Sequence, residues 1–423
     1  MGMDKRKEKK LMERRKKLTA KTEKRLSEKN EKASDKPIRS TERTSAADKR
    51  NDINKFRKKR SRQKFVFRLA VIVLIALTMI FVIMNWGKII APLKDAALDV
   101  GTGGFPVELP GSAGYVLDEL GENFYLLTDT YIYTYNNEGA LITDIQHGFQ
   151  NPVADSNDKR IVVYDKNGKE MNFYSRTELV YTNTMDDSIV FSEIGNDERC
   201  AVVTTSTRYS NYLYVFNGEG KQIFRWASPD YKIMQVCFSE NDESIYVTAL
   251  GSQGGDLRLY LYRFDLDNAE SEIWRVLAGS NISYDMKCCD DGVFVVTGNG
   301  CMLYSAETGE QLASSGFARS ISDIPQWDKL RAIVFSDDGS SGDVLSVYGK
   351  DLSAPNELYI DKLTSVCEDN GICYVLSGAM LSSYNSSLQP LKSYELDDVY
   401  SDVIVMNGYA YLLGYNEVQR IAL

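Results

Sequence analysis

The hydrophobic pattern of this chain changes character once. Residues 65–86 read FVFRLAVIVLIALTMIFVIMNW, an apolar run whose only charge is Arg68. About 20 such residues, rising 1.5 Å each, cross a hydrocarbon layer of roughly 30 Å. The run predicts a transmembrane helix with Trp86 at an interfacial position. A core helix would keep a polar face, and a cleaved signal would have a shorter apolar core followed at once by a small-x-small site.

Beyond residue 104 the apolar positions come in strand-length bursts at roughly 40-residue intervals, the period of propeller blades. Eight bursts form one set: FYLLT at 124, RIVVYD at 160, CAVVTT at 200, SIYVTA at 244, GVFVVTG at 292, LRAIVFS at 330, GICYVLS at 371 and GYAYLLG at 408. A second set of eight follows them, from YIYTYN at 131 to EVQRIAL at 417. Seven members of that set end on an aromatic at one phase, namely Tyr135, Tyr174, Phe216, Phe264, Tyr304, Tyr348 and Tyr384, which predicts a contact between neighbouring blades. The third set, from ALITDI at 140 to LQPLKSY at 388, has only seven. An inner strand is expected just before each burst of the first set, as in IMQVCFS, ISYDMKCC and LTSVCED.

The missing eighth outer strand has a candidate at the other end of the repeat region. GFPVELPG at 104–111 is a strand-like run between Gly/Pro brackets with no hairpin partner beside it. Placed as the outermost strand of the last blade, it pairs the two ends of the repeat region, closes the ring and removes an exposed edge. The expected fold is therefore all-β: an eight-bladed β-propeller over residues 104–423, closed by an N-terminal strand. It follows a cytoplasmic tail (1–64), a transmembrane helix (65–86) and a linker (87–103). A pair of β-sandwiches is the structural alternative, and it leaves the counts of eight, eight and seven unexplained.

Charge adds an orientation. Residues 1–64 hold 26 Lys/Arg against 10 Asp/Glu, a surplus of +16, so with a net charge of −9 the remainder carries −25. KFRKKRSRQK at 55–64 flanks one side of the apolar run, whereas only Lys88 and Lys94 closely follow it. The positive-inside rule puts the tail in the cytoplasm and the acidic bulk across the membrane. With almost no apolar face, the tail is expected to be disordered or a solvated single helix, meeting anionic lipid headgroups at about 1 kcal/mol per basic residue. It has no base-reading module, and Phe56 is its only aromatic, so no nucleic acid is expected as a partner.

Catalytic chemistry is sparse. His147, in DIQHGFQNP, is the only histidine and falls in a loop between blades, which argues against a Ser-His-Asp triad or a multi-His metal site. No GxSxG, Walker loop, CxxC pair or EF-hand loop is present. Seven cysteines cannot all pair, and Cys200, Cys237, Cys301 and Cys373 fall within strand-like runs as small core hydrophobes. CCDDG at 288–292 reads as a hairpin turn.

The adjacent Cys288 and Cys289 could form a vicinal disulfide, a feature associated with some quinone-cofactor dehydrogenases. YSAETGEQL at 304–312 and FNGEGKQIFRW at 216–226 resemble the repeat of pyrroloquinoline-quinone-like propellers, in which an Ala-x-Asp-x-x-Thr-Gly-x-x-x-Trp pattern joins the last two strands. Ala306, Thr308 and Gly309 fit, but no Asp precedes them and Leu312 stands near the Trp place, which removes that family's docking network. The resemblance implies the fold of noncatalytic envelope scaffolds and no cofactor. The whole arrangement of basic tail, single anchor, Gly-rich spacer and GFPVEL before a Tyr-rich propeller resembles an uncharacterised family of membrane-anchored propellers of Gram-positive bacteria. That resemblance implies location and fold, without an activity.

Long loops of one face, 205–211, 251–258 and 336–343, together with 228–232, 280–285 and 316–320, offer Arg208, Tyr209, Tyr231, Tyr284, Phe317 and Arg319 as interface anchors. The expected role is a noncatalytic binding or scaffolding module of the bacterial cell envelope, with a protein or a cell-wall polymer as partner. The alternatives are a quinoprotein-like or carboxylate-based envelope enzyme, or a transmembrane sensor acting through the basic tail.

Overall fold

The computed structural model describes residues 66–83 and 103–423, apart from 112–113, 197, 268–271, 328 and 337–341. The expectations for the basic tail and for the linker up to residue 102 fall outside the described residues. Val66–Ile83 is a helix of 18 residues with mean hydropathy 2.9 and no part of that window buried, long and apolar enough to cross a membrane. It belongs to a unit separate from Lys88–Leu423.

The described residues of the second unit form 32 strands in eight four-stranded antiparallel sheets. Blade 1 shows the plan with β2 (Val116–Leu120), β3 (Asn123–Leu127), β4 (Tyr131–Tyr135) and β5 (Leu141–Gln146) paired in chain order. Blades 2 to 7 repeat it over 152–184, 189–228, 232–279, 283–316, 321–360 and 363–395. Blade 8 is completed from the other end: β30 (Asp402–Met406), β31 (Tyr409–Leu413) and β32 (Glu417–Ala422) take β1 (Val107–Glu108) as their outer strand. Val107 pairs with Val418 and Glu108 with Glu417, and the Leu109 N–H adds a bond to the Asn416 carbonyl at 2.9 Å. The donated strand foreseen from GFPVELPG is present, with two residues in the ladder.

The sheets stand because their second and third strands are apolar on both sides. β3 is buried at every position, as are CAVVT at 200–204 and GVFVVT at 292–297. Such strands suit a sheet covered on both faces, and the buried clusters accordingly fall in the seams between blades. Outer strands alternate instead, as in LITDIQ at 141–146. Six of the seven phased aromatics lie where the third and fourth strands slip register: Tyr135, Tyr174, Phe216, Phe264, Tyr304 and Tyr384. Each extra residue increases the local twist of a blade.

Seam chemistry recurs as well. Gly139, Gly220 and Gly309 occupy the turn between the third and fourth strands of blades 1, 3 and 5, at φ of 79°, 76° and 73°. Each receives a side chain from the outer strand of the blade before it. A Cβ on Gly220 would stand 2.8 Å from the Tyr181 ring, one on Gly309 2.8 Å from the Trp274 ring, and one on Gly139 2.9 Å from Val107 and 3.1 Å from the Phe105 ring. An aromatic-on-glycine dock therefore stands where the departure from the quinoprotein-type pattern had predicted no docking network. The closing strand uses the same device as the outer strands that meet blades 3 and 5.

Candidate functional site

Two regions of the ring concentrate polar side chains, its centre and one loop face. The centre is lined by the inner strands, which are neighbours round the ring, as β2 is to β30 and to Pro152–Ser156 of blade 2. These strands contribute Asp118, Asp155, Glu193, Asp285, Asp323 and Asp402 from blades 1, 2, 3, 5, 6 and 8. A repeated local bond holds four of them, because each carboxylate accepts the N–H of the next residue: Glu119 for Asp118 (2.8 Å), Ser156 for Asp155 (3.0 Å), Ile324 for Asp323 (2.9 Å) and Val403 for Asp402 (2.9 Å). The Ser365 hydroxyl also donates to Asp402 at 2.7 Å, and the Ile194 N–H to Asp155 at 2.6 Å.

Burial raises the proton affinity of Asp118, Asp155, Glu193, Asp285 and Asp402, and repulsion from neighbouring carboxylates adds to it for all of them but Asp285. Asp155 is pushed up to about 7, first by burial and further by Asp118. Glu119 rises to about 8 through burial and then through Asp118, Asp369, Asp158 and Glu368. Burial holds Glu193 well above the carboxylate range, and Asp155 and Asp285 add to it while Lys287 opposes them. Asp118, Asp285 and Asp402 are raised for the same leading reason. Glu193 of blade 3 thus feels Asp285 and Lys287 of blade 5, past the intervening blade 4.

A segment of blade 6 reaches into the same space. Its inner strand, Ile321–Asp323, is short, and the chain then runs through Ile324, Pro325, Gln326 and Trp327 before the second strand starts at Arg331. The Gln326 side chain comes close enough to Asp118 of blade 1 to favour its charged form, against the burial that raises its pKa. Lys287 donates to the Trp327 carbonyl, with its ammonium 4.8 Å from the centre of the Trp327 ring, and that ring packs edge-on against Phe294 at 5.7 Å. Among the described residues no three His, Cys, Asp or Glu side chains converge to hold a metal ion.

The loop face follows from strand direction. Antiparallel order puts every turn between second and third strands, and every connection between blades, on one side of the ring, so the six anchors named from the sequence share a face. Their surroundings differ. Arg208 is exposed in the turn after Cys200–Thr204, where the Ser206 hydroxyl accepts the N–H groups of Arg208 (3.1 Å) and Tyr209 (3.0 Å). Tyr209 packs edge-on against Tyr212 at 5.3 Å and Tyr231 against Tyr260 at 5.1 Å. Tyr284 is 52% exposed, and its carbonyl accepts a bond from the Gln235 side chain at 2.8 Å. Phe317 and Arg319 are engaged within the fold: Phe317 packs on Phe335 (4.9 Å) and Tyr348 (6.0 Å), and Arg319 pairs with Glu357 at 2.8 Å.

Three features escaped the sequence reading: the carboxylates of the centre, the crossing of Gln326, and the cations Arg225, Lys232 and Arg258 of the loop face. The only signal for the first was an acidic residue recurring in most inner strands. His147 does lie in a loop, yet it is buried: Nε2 bonds the Thr128 carbonyl and Nδ1 accepts the Phe149 N–H, both at 3.1 Å. Burial lowers its pKa. All seven cysteines are free thiols. Cys288 and Cys289 follow one another in the inner strand Ser283–Cys289 and enter opposite seams, one facing blade 4 and the other blade 6, because successive side chains of a strand point to opposite faces.

The fold has solved counterparts. Sqt1 from Saccharomyces cerevisiae superposes with a TM-score of 0.56 at 11% identity, over 76% of this chain and 97% of that one. The C-terminal WD40 domain of Sif2 gives 0.53 at 11% identity, over 76% and 99%. BamB from Moraxella catarrhalis gives 0.50 at 11%, over 72% and 92%. At such identity the likeness is one of fold. No curated protein matches the chain in sequence. Residues 109–423, three quarters of the chain and nearly all of the ring, match the profile of DUF5711, a family of unknown function, and the chain belongs to that family.

Proposed function

We propose that this protein is a single-pass, membrane-anchored propeller that acts as a noncatalytic binding or scaffolding module of the cell envelope. Its N-terminus lies in the cytoplasm and its ring on the outer side. The observation that carries this reading is the loop face, where Arg208 and Tyr209 stand in a turn of blade 3, Tyr231 in the connection to blade 4 and Tyr284 at the start of the inner strand of blade 5. Tyr and Arg are the side chains that dominate binding hot spots. The apolar helix and the basic residues before it support the topology.

Replacing Tyr284 with Cys and treating intact cells with a membrane-impermeant maleimide tests the placement. Labelling above that of the native chain is expected, and labelling only after lysis would overturn it. A photo-crosslinking side chain at position 284 tests binding through capture of a discrete partner. A carboxylate-based enzyme is the second reading, drawn from Asp155 and Glu119 holding protons near neutrality. It requires a turnover that Asp155→Asn abolishes.

A further inference from the structure

Of the seven free thiols, two meet across a seam from different blades. Cys237 belongs to the inner strand of blade 4 (Lys232–Phe238) and Cys288 to that of blade 5 (Ser283–Cys289). Both enter the apolar cluster between these blades, Cys237 as a buried member and Cys288 packed against it, and Cys288 is the ionisable group that acts most strongly on Cys237. The two strands run side by side, with Cα atoms approaching within 8 Å. Each slips register once against its second strand, between Ile233 and Gln235 and between Ser283 and Asp285. Aligned on that slip, Cys237 stands level with Lys287, one residue or about 3.3 Å short of Cys288. A disulfide spans Cα atoms about 4.4–6.8 Å apart, a separation that neighbouring strands one residue out of step can supply.

The other thiols are placed differently. Cys289 and Cys301 share the seam with blade 6, but both belong to blade 5, and the strand Gly292–Thr297 separates theirs by two strand spacings, roughly 9–10 Å. Cys200, Cys373 and Cys367 each pack in a different cluster. The strands that carry the facing pair also carry two anchors of the loop face. Tyr231 is the residue before Lys232, and Tyr284 is the second residue of its strand. The Gln235 side chain already ties the two strands at that end, through its bond to the Tyr284 carbonyl at 2.8 Å.

We infer that Cys237 and Cys288 form a reversible disulfide that staples blade 4 to blade 5 under oxidising conditions and fixes Tyr231 and Tyr284 relative to each other. The inference rests on the binding-module reading and adds a regulation to it, because the outer side of the membrane is the oxidising one. Cys288 is partly exposed and is the point of entry, whereas Cys237 is buried. A small-molecule disulfide such as glutathione disulfide supplies the oxidant. The Cys288 thiolate attacks it and releases one glutathione thiol; the Cys237 thiolate then attacks the mixed disulfide and releases the second. One S–S bond breaks and one forms, and the two protons lost by the cysteines end on the two glutathione thiols. Burial pushes Cys288 up to about 11 and raises Cys237 further above the thiol range, so thiolate is scarce at neutral pH and the exchange runs over hours.

The test incubates the full chain in nanodiscs with glutathione buffers of rising disulfide content, quenches with acid, alkylates with N-ethylmaleimide and digests for mass spectrometry. A linked pair of peptides holding Cys237 and Cys288 is expected. It should be reversed by dithiothreitol, lost in C237A and in C288A, and retained in C289A, whose native thiol enters the opposite seam. A bridge between Cys288 and Cys289, or alkylation of both Cys237 and Cys288 at every buffer ratio, would overturn the inference. In the oxidised chain, hydrogen exchange at residues 231–235 and 283–286 should slow about tenfold or more relative to the reduced chain, and equal exchange would overturn the link to the two anchors. If the bridge forms while a crosslinker at position 284 captures no partner, the staple stands and the binding module falls. If no bridge forms while capture succeeds, the staple falls and the module stands; if both fail, both fall.

Discussion

At the scale of single residues, the ring depends on positions where a side chain would be wrong. Gly220 and Gly309 adopt left-handed backbone and receive the rings of Tyr181 and Trp274 at a distance that leaves no room for a methyl group. Gly309→Ala should therefore combine backbone strain with a displaced ring and cost about 1–3 kcal/mol. A fall in the thermal midpoint is the readout, and an unchanged midpoint would mean the dock is slack. Arg420 is the counterpart at the closure. Its guanidinium lies 4.7 Å from the Phe105 ring and 4.5 Å from the Tyr409 ring, and it donates to the Asn137 carbonyl of blade 1. Arg420→Ala should cost about 1–2 kcal/mol, measured by denaturant titration.

Among the elements, β1 bears the most consequence for its length. Two ladder residues close a ring of eight sheets, and they succeed because the segment is anchored by side chains: Val107 and Leu109 are buried with Phe124, Tyr411 and Val418, and the Phe105 ring stands 5.6 Å from that of Tyr411. Val107→Asp removes the apolar anchor and buries a charge, at an expected cost of about 3 kcal/mol or more. Hydrogen exchange should then speed up in β32 and in blade 1 well before the blades on the far side of the ring. Uniform exchange across all blades would show that closure is not local. This element was legible because its absence elsewhere was countable: seven outer strands for eight blades left one unpaired edge. The crossing of Gln326 to Asp118 was not legible, since a seven-residue connection after a short strand looks like any other loop until the opposite blade is in place.

For the whole molecule, a ring that buries carboxylates such as Asp155 and Glu119 gains an unusual response to pH. Unfolded Asp and Glu titrate near 3.9 and 4.3, whereas Asp155 and Glu119 in the ring stand at about 7 and about 8. The folded state therefore binds more protons than the unfolded one across this interval, and stability falls as pH rises. The contribution is complete below about pH 4 and is lost through about pH 8, opposite in sign to that of an ion-paired carboxylate. Denaturant midpoints should drop between about pH 5 and pH 8, and Glu119→Gln should flatten that drop. A midpoint rising with pH would contradict the account of the centre.

Periodicity, apolar runs and charge asymmetry are properties of a linear chain, so the blade count, the latch and the apolar helix could be read before any coordinates. A blade needs its neighbours to bury both faces, and a repeat of about 40 residues announces that need directly. What lies between blades had no such signal. Asp118 and Asp155, like Glu193 and Asp285, are tens of residues apart in the chain and act on one another once the ring closes, and Arg225 comes to lie on the rings of Tyr212 and Tyr214. Proton affinity and binding surface both arise from that convergence, because desolvation and Coulomb interaction depend on distance through space rather than along the chain.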